Sequence, residues 1–149
     1  MGVCLDMNDI ILNKVATIER CIKRVEEVYE NNPENLVDFT KQDSLILNIQ
    51  RACEASIDLA MHLVSKHKLG LPKTSRDAFK ILQGKGMLED HLAITLMNMV
   101  GFRNIAVHDY QSLNIDILKS IIEKHVDDFL IFTKVVLELE RKGNGSNEF

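Results

Sequence analysis

The sequence predicts an all-α protein, an up-and-down bundle of four long helices plus one short helix. Three observations lead there. Apolar residues recur at three- and four-residue intervals through nearly the whole chain. No segment alternates apolar and polar residues over a useful length, as a half-buried strand would. Breakers cut the helical pattern at Asn31-Asn32-Pro33, at Gly70 and Pro72, and at Gly84 and Gly86.

The first helix is marked by the stripe Ile10, Ile11, Val15, Ile18, Cys21, Ile22, Val25 and Val28, and Asn31-Asn32-Pro33 ends it. Asn35 to Gln42 reads as a connecting loop. The second long helix follows, with Thr40 or Asp43 as its cap, on the stripe Ile46, Ile49, Cys53, Ile57, Ala60 and Val64. The segment from His67 to Pro72 breaks it. Ser75 is expected to cap a short helix through Ile81 that stops near Gly84. A fourth helix covers about Leu88 to Val107, with Gly101 as a close-packing or kink point. Asn114 caps a last helix reaching about Leu139. The stripes of the first, second and last helices form the common core.

At 149 residues the chain is one domain with a sizeable core. Its 46% apolar and 27% charged content is that of a soluble globular protein. No apolar run approaches the ~20 residues a membrane span needs, and no basic-then-apolar N-terminal pattern marks a secretory signal. Met1-Gly2 is weak as a myristoylation start, since Asp6 stands where Ser or Thr belongs. Three scattered cysteines, Cys4, Cys21 and Cys53, suit a reducing cytoplasm. The five histidines do not cluster with them, so no metal site and no cofactor are expected. Met87, Met97 and Met99 read as core or interface filler.

Net charge is −4, which argues against indiscriminate binding of nucleic acid. Residues 62–86 nonetheless carry Lys66, Lys68, Lys73, Arg76, Lys80 and Lys85 against the single acid Asp77. This stretch is either a solvated surface or a local phosphate-attracting face.

The stretch R-N-I-A-V-H-D-Y, Arg103 to Tyr110, carries the chemistry. An arginine is a permanent cation whose planar fork matches phosphate oxygens. His108 is the side-chain type suited to move protons near neutral pH. Asn104 can hold a phosphate oxygen or orient a ring nitrogen of His108. Arg, four residues, His, one residue, Tyr, with Gly-Phe before the arginine and Asn after it, late in a small helical chain, resembles the HEPN ribonuclease signature. It is similar more narrowly to the HepT-type toxins of bacterial toxin–antitoxin pairs. The resemblance covers about residues 7–140, beginning at the second methionine, Met7. Residues 1–6 then read as an N-terminal extension, 7–141 as the helical domain and 142–149 as a flexible tail.

The resemblance implies a homodimer that brings two motifs together across a cleft and cuts RNA without a metal. Arg103 and His108 are then catalytic. A ribose 2′-hydroxyl attacks the adjacent phosphorus, His108 takes its proton, and the products are a 2′,3′-cyclic phosphate and a 5′-hydroxyl. The resemblance also implies a cognate minimal nucleotidyltransferase antitoxin of the MntA type that transfers AMP to Tyr110 and silences the nuclease.

Helical geometry bears on this. At ~100° per residue, Arg103 and His108 lie ~140° apart on one regular helix and cannot focus on one phosphate. Either the helix ends near Val107, so that His108 swings round, or a second chain completes the site. Arg103 and Tyr110 lie only ~20° apart if the helix persists. Glu54 and Asp58 share one face of the second helix and are expected to approach Arg103 or a basic residue of a dimer partner. Plainer roles exist for each residue. Arg103 can pair with an acid, His108 can be a helix C-terminal residue favoured by the macrodipole, and Tyr110 can pack its ring.

Three functional classes follow: an RNA-cutting toxin, a non-catalytic helical subunit that binds nucleotide or substrate for a nucleotidyltransferase, and a dimeric interaction module. An intact Arg103 together with His108 favours the first, since a binding module needs the cation but not the proton carrier.

Overall fold

The computed structural model describes residues 7–146, with side chains described over 9–143. The expected extension at 1–6, Cys4 and residues 147–149 of the expected tail lie outside that span.

The first helix, α1 (Met7–Tyr29), buries Ile11, Val15, Ile18, Ile22 and Val25 along the predicted stripe, and at its end Tyr29 rather than Val28. It ends where Glu30 and Asn31 turn left-handed, with φ of 55° and 54°. Asn32 then accepts the Glu34 N–H at 3.1 Å, and Pro33 opens a 3-10 turn through Leu36. The expected loop from Asn35 is therefore partly helical and packed. Leu36 is buried, and the Asn35 amide donates to the Tyr29 carbonyl oxygen at 2.7 Å.

Helix α2 (Phe39–Lys66) starts earlier than expected. Asp38, rather than Thr40 or Asp43, is its cap, accepting the Lys41 N–H at 3.1 Å. Asp43 thus lies one turn inside the helix with its carboxylate free to reach another element. Lys66, near the C-terminal end of α2, pairs with Glu140. A short helix, α3 (Ser75–Gly84), is capped by Thr74, not Ser75, through a 3.2 Å bond from the Asp77 N–H. Asp77 reaches back to the Lys73 N–H at 3.0 Å.

Helix α4 (Asp90–His108) runs antiparallel to α2. The Cys53 thiol faces the Met99 carbonyl oxygen, and Tyr110, just past the end of α4, faces Asp43 near the start of α2. Gly101 serves close packing, as expected. Arg76 lies across it with Nε donating to the Met97 carbonyl oxygen at 3.2 Å, and a Cβ at 101 would meet the guanidinium at 2.8 Å.

The up-and-down all-α bundle is observed, with the last long helix divided. Asn114 caps α5 (Ile115–Lys124) by accepting the Asp116 N–H at 2.8 Å, as expected. His125 then leaves the helix, and α6 (Val126–Ser146) begins. The ring Nδ1 of His125 lies 3.2 Å from Asp128 Oδ2, which fixes the joint. The apolar period continues across the break, so periodicity did not expose it. The last helix also passes residue 142, so the expected tail boundary does not coincide with a helix end.

The core sits among α1, α2, α4 and α6. Phe79 of α3 meets Phe132 of α6 edge to face, with centroids 5.8 Å apart, closing one end. No described helix is long and apolar enough to cross a membrane.

Candidate active site

Helix α4 carries the motif to its last turn. It stays helical through His108, where the Asp109 N–H closes on the Ile105 carbonyl oxygen at 2.8 Å. The helix thus ends near Val107, as one alternative expected, but His108 is its last residue and does not swing round toward Arg103. The two residues keep the divergence of ~140° that helical geometry imposes.

Arg103 is half-buried against α2. Burial holds the Cys53 thiol far above its ordinary pKa, against the opposing pull of the nearby Arg103 charge. The arginine's Nε is buried with no hydrogen-bond partner. Among the described residues no acid lies within ion-pair distance of Arg103. Glu54 and Asp58, expected to approach Arg103 or a basic residue of a dimer partner, do not pair with Arg103 within the chain. Glu54 accepts the Gln50 amide at 3.1 Å, and Asp58 pairs with Lys14 at 2.9 Å. Both acids turn toward the α1 side of α2. A half-buried arginine with no acid partner among the described residues is suited to receive an anion from outside.

His108 is exposed at the C-terminal end of α4. The Asn104 side chain is exposed and makes no hydrogen bond among the described residues, so it does not orient His108 within the chain. His108 follows Ile105 by three residues, and Ile94 precedes Ile105 by three turns, so all three lie on one face. Ile94 and Ile105 are 51% and 42% exposed, which leaves α4 apolar on its outer as well as its inner side. Ile117 of α5 extends this patch around a cavity of about 400 Å³ lined also by Phe102 and Leu113.

Tyr110 lies beyond α4 in a 3-10 turn, Tyr110–Ser112. The helix does not persist to it, so its direction is not that of Arg103 by helical register. A contact the sequence did not suggest sets it instead: the hydroxyl donates to Asp43 Oδ1 on α2. Burial and that carboxylate push the phenol up to about 12. The ring remains 41% exposed. The chain's other tyrosine, Tyr29, is 3% exposed, and its hydroxyl donates to Glu123 at 2.5 Å.

A cleft of about 690 Å³ between α1 and α2 was also missed. Lys14, Arg20, Lys23, Arg24 and Arg51 line it with the acids Glu27, Glu54 and Asp58. Lys14 and Arg24 have acid partners, while Arg20, Lys23 and Arg51 have none within ion-pair distance among the described residues. The signal was present in the sequence, because Arg20, Lys23 and Arg24 fall at helical spacing on one face of α1. In the 62–86 stretch, by contrast, Lys66 and Arg76 are tied to Glu140 and to the α4 backbone.

A helical bundle with an arginine and a histidine on one helix, and an exposed tyrosine just past its end, has the features that the HEPN resemblance implies. The ribonuclease HepT-like family model matches residues 18–136, and this chain belongs to that family. It is 51% identical over 130 residues to the mRNA nuclease HepT of Shewanella oneidensis, a match covering 87% of this chain and 98% of that protein. A solved structure of a toxin–antitoxin with AMP-PNP superposes with a TM-score of 0.84 at 48% identity, covering 87% of this chain and 98% of that one. The tri-AMPylated HEPN toxin of Shewanella oneidensis in complex with MNT antitoxin superposes with a TM-score of 0.83 at 49% identity and the same coverage.

Proposed function

We propose that this chain is a metal-independent RNA endonuclease, the toxin of a toxin–antitoxin pair, silenced when a partner nucleotidyltransferase attaches AMP to Tyr110. The observation that carries the reading is the end of α4. It carries a half-buried arginine with no acid partner among the described residues, an exposed histidine and the chain's one exposed tyrosine within eight residues. The relatives support it, one being an mRNA nuclease and another an AMPylated HEPN toxin bound to its MNT antitoxin.

In the proposed reaction a ribose 2′-hydroxyl attacks the neighbouring phosphorus and one His108 takes its proton. The P–O5′ bond breaks, and the His108 of a second copy protonates the departing 5′-oxygen. Each proton transfer contributes roughly 10²–10⁴-fold in rate. Arg103 stabilises the extra negative charge on the pentacoordinate phosphorus. Because Arg103 and His108 diverge on one helix, the site is completed by a homodimer. The exposed face of Ile94, Ile105 and His108 is the contact that brings the two His108 side chains together. The unpaired cations Arg20, Lys23 and Arg51 give the RNA backbone a place to lie. AMP on Tyr110 then sets a tethered phosphate beside the catalytic groups and competes with RNA for them.

Purified protein incubated with RNA and EDTA tests this. The expected products carry 2′,3′-cyclic phosphates and 5′-hydroxyls. Recovery of 3′-hydroxyl ends, or cleavage only with added magnesium, overturns the mechanism.

A further inference from the structure

The hydrogen bond between Tyr110 and Asp43 joins residues from separate parts of the chain and is not used in RNA cleavage as described. We propose that Asp43 is the general base for modification of Tyr110, taking the phenolic proton as the oxygen attacks the α-phosphorus of a nucleoside triphosphate held by the partner enzyme. This rests on the reading of Tyr110 as the AMP acceptor.

The atoms balance without a further reactant. A bond forms between the Tyr110 oxygen and the α-phosphorus. The bond from that phosphorus to the bridging oxygen of the β-phosphate breaks, and pyrophosphate leaves. The proton moves along the existing hydrogen bond to the Asp43 carboxylate. A base is needed because the nucleophile is almost wholly protonated. With the phenol near 12, about one hydroxyl in 10⁵ is ionised at pH 7.

The surroundings point to Asp43 rather than another group of this chain. It lies on α2, inside the helix, and its carboxylate is not spent on capping because Asp38 has that role. It is exposed, so a protonated Asp43 can return its proton to water. Of the ionisable chain neighbours His108 and Asp109, the latter accepts the Ser112 hydroxyl at 2.6 Å. Among the described residues the Tyr29 hydroxyl is bonded to Glu123, and that tyrosine's ring is sealed in the core. Of the two tyrosines, only Tyr110 combines an attached carboxylate with an accessible ring.

The test uses full-length protein, the purified partner nucleotidyltransferase and ATP, with AMP transfer followed by intact mass. Asp43→Asn keeps an oxygen that can accept the hydroxyl but loses the basicity. Initial transfer at pH 7 is expected to fall at least tenfold, less than the full general-base effect of about 10²–10⁴ because losing the carboxylate also eases phenol ionisation. KM for ATP stays unchanged. The wild-type rate is expected to be flat between about pH 6.5 and 8.5, because the carboxylate and not free hydroxide takes the proton. The Asp43→Asn rate climbs about tenfold per pH unit, following the phenolate. Asp43→Glu restores part of the rate at pH 7. Circular dichroism, melting temperature and binding to the partner check that the variants are folded.

A wild-type rate in Asp43→Asn, or a loss that is independent of pH or confined to KM, overturns the role of Asp43. Tyr110→Phe separates the two readings. If it abolishes transfer while Asp43→Asn does not slow it, only the base assignment fails. If AMP still attaches to Tyr110→Phe, the acceptor reading fails and the base assignment falls with it.

Discussion

The Tyr110 hydroxyl is bonded to the Asp43 carboxylate across 67 residues of sequence, joining the turn after α4 to the first turns of α2. The contact fixes the one exposed tyrosine at the end of the helix that carries Arg103 and His108. It also explains why helical register alone misplaces Tyr110. Once α4 stops at His108, a tertiary partner, not the 3.6-residue period, decides where the ring goes.

His108→Ala is expected to abolish RNA cleavage, with a loss of at least ~10²-fold, and to leave the fold intact because the imidazole is exposed. Arg103→Ala should do nearly the same. Arg103→Lys should recover little, since a point charge does not reproduce the fork. Single-turnover cleavage with EDTA present, beside circular dichroism, checks all three.

The outer face of α4 should be the dimer contact. Ile94→Asp combined with Ile105→Asp places charge on side chains that are already half-exposed in the single chain. Sedimentation is expected to show a stable monomer, with a fold weakened by no more than ~0.5 kcal/mol per site. Cleavage should fall with dimerisation because the second His108 is then absent from the site.

Neutralising the α1–α2 cleft should weaken RNA binding without slowing chemistry. The triple variant Arg20→Ala, Lys23→Ala, Arg51→Ala is expected to raise KM, leave kcat unchanged and flatten the salt dependence of binding by about 2, at ~0.7 for each phosphate no longer neutralised. Titration of uncleaved RNA onto the His108→Ala background at several salt concentrations measures this.

Tyr29 should tie stability to alkaline pH. Burial first, and the Glu123 carboxylate second, push its phenol from the ordinary 10 to about 12 in the folded chain. A folded pKa above the unfolded one gives a contribution fully present below pH 10 and lost as pH rises through about 12. Melting temperature should therefore fall across that window. The fall should be smaller in Tyr29→Phe, the remaining tyrosine contribution coming from Tyr110, whose phenol is shifted alike.

Much of the fold was legible because amphipathic stripes are local. The buried faces of α1 and α2 follow from Ile11, Val15 and Ile18, and from Ile46, Ile49 and Cys53, without tertiary information. Boundaries were less so. Asp38 and Thr74 displaced the expected caps Thr40 and Ser75 because several short polar side chains compete near each helix start. The joint at His125 was hidden by an apolar period that runs through it. In the active-site region the chemistry-bearing residues were visible as a linear motif. The partners of Glu54, Asp58 and Tyr110 were not, because each is chosen by how α1, α2 and α4 pack.

The most direct measurement follows modification and cleavage in one sample. Wild-type protein and Tyr110→Phe are each incubated with the partner nucleotidyltransferase and ATP, analysed by intact mass and peptide mapping, freed of the partner and then given RNA. The account predicts AMP on Tyr110 and no cleavage by the modified wild type. It predicts no AMP and undiminished cleavage for Tyr110→Phe. AMP on Tyr29 or on the Tyr110→Phe protein, or cleavage by a fully modified wild-type sample, would contradict it.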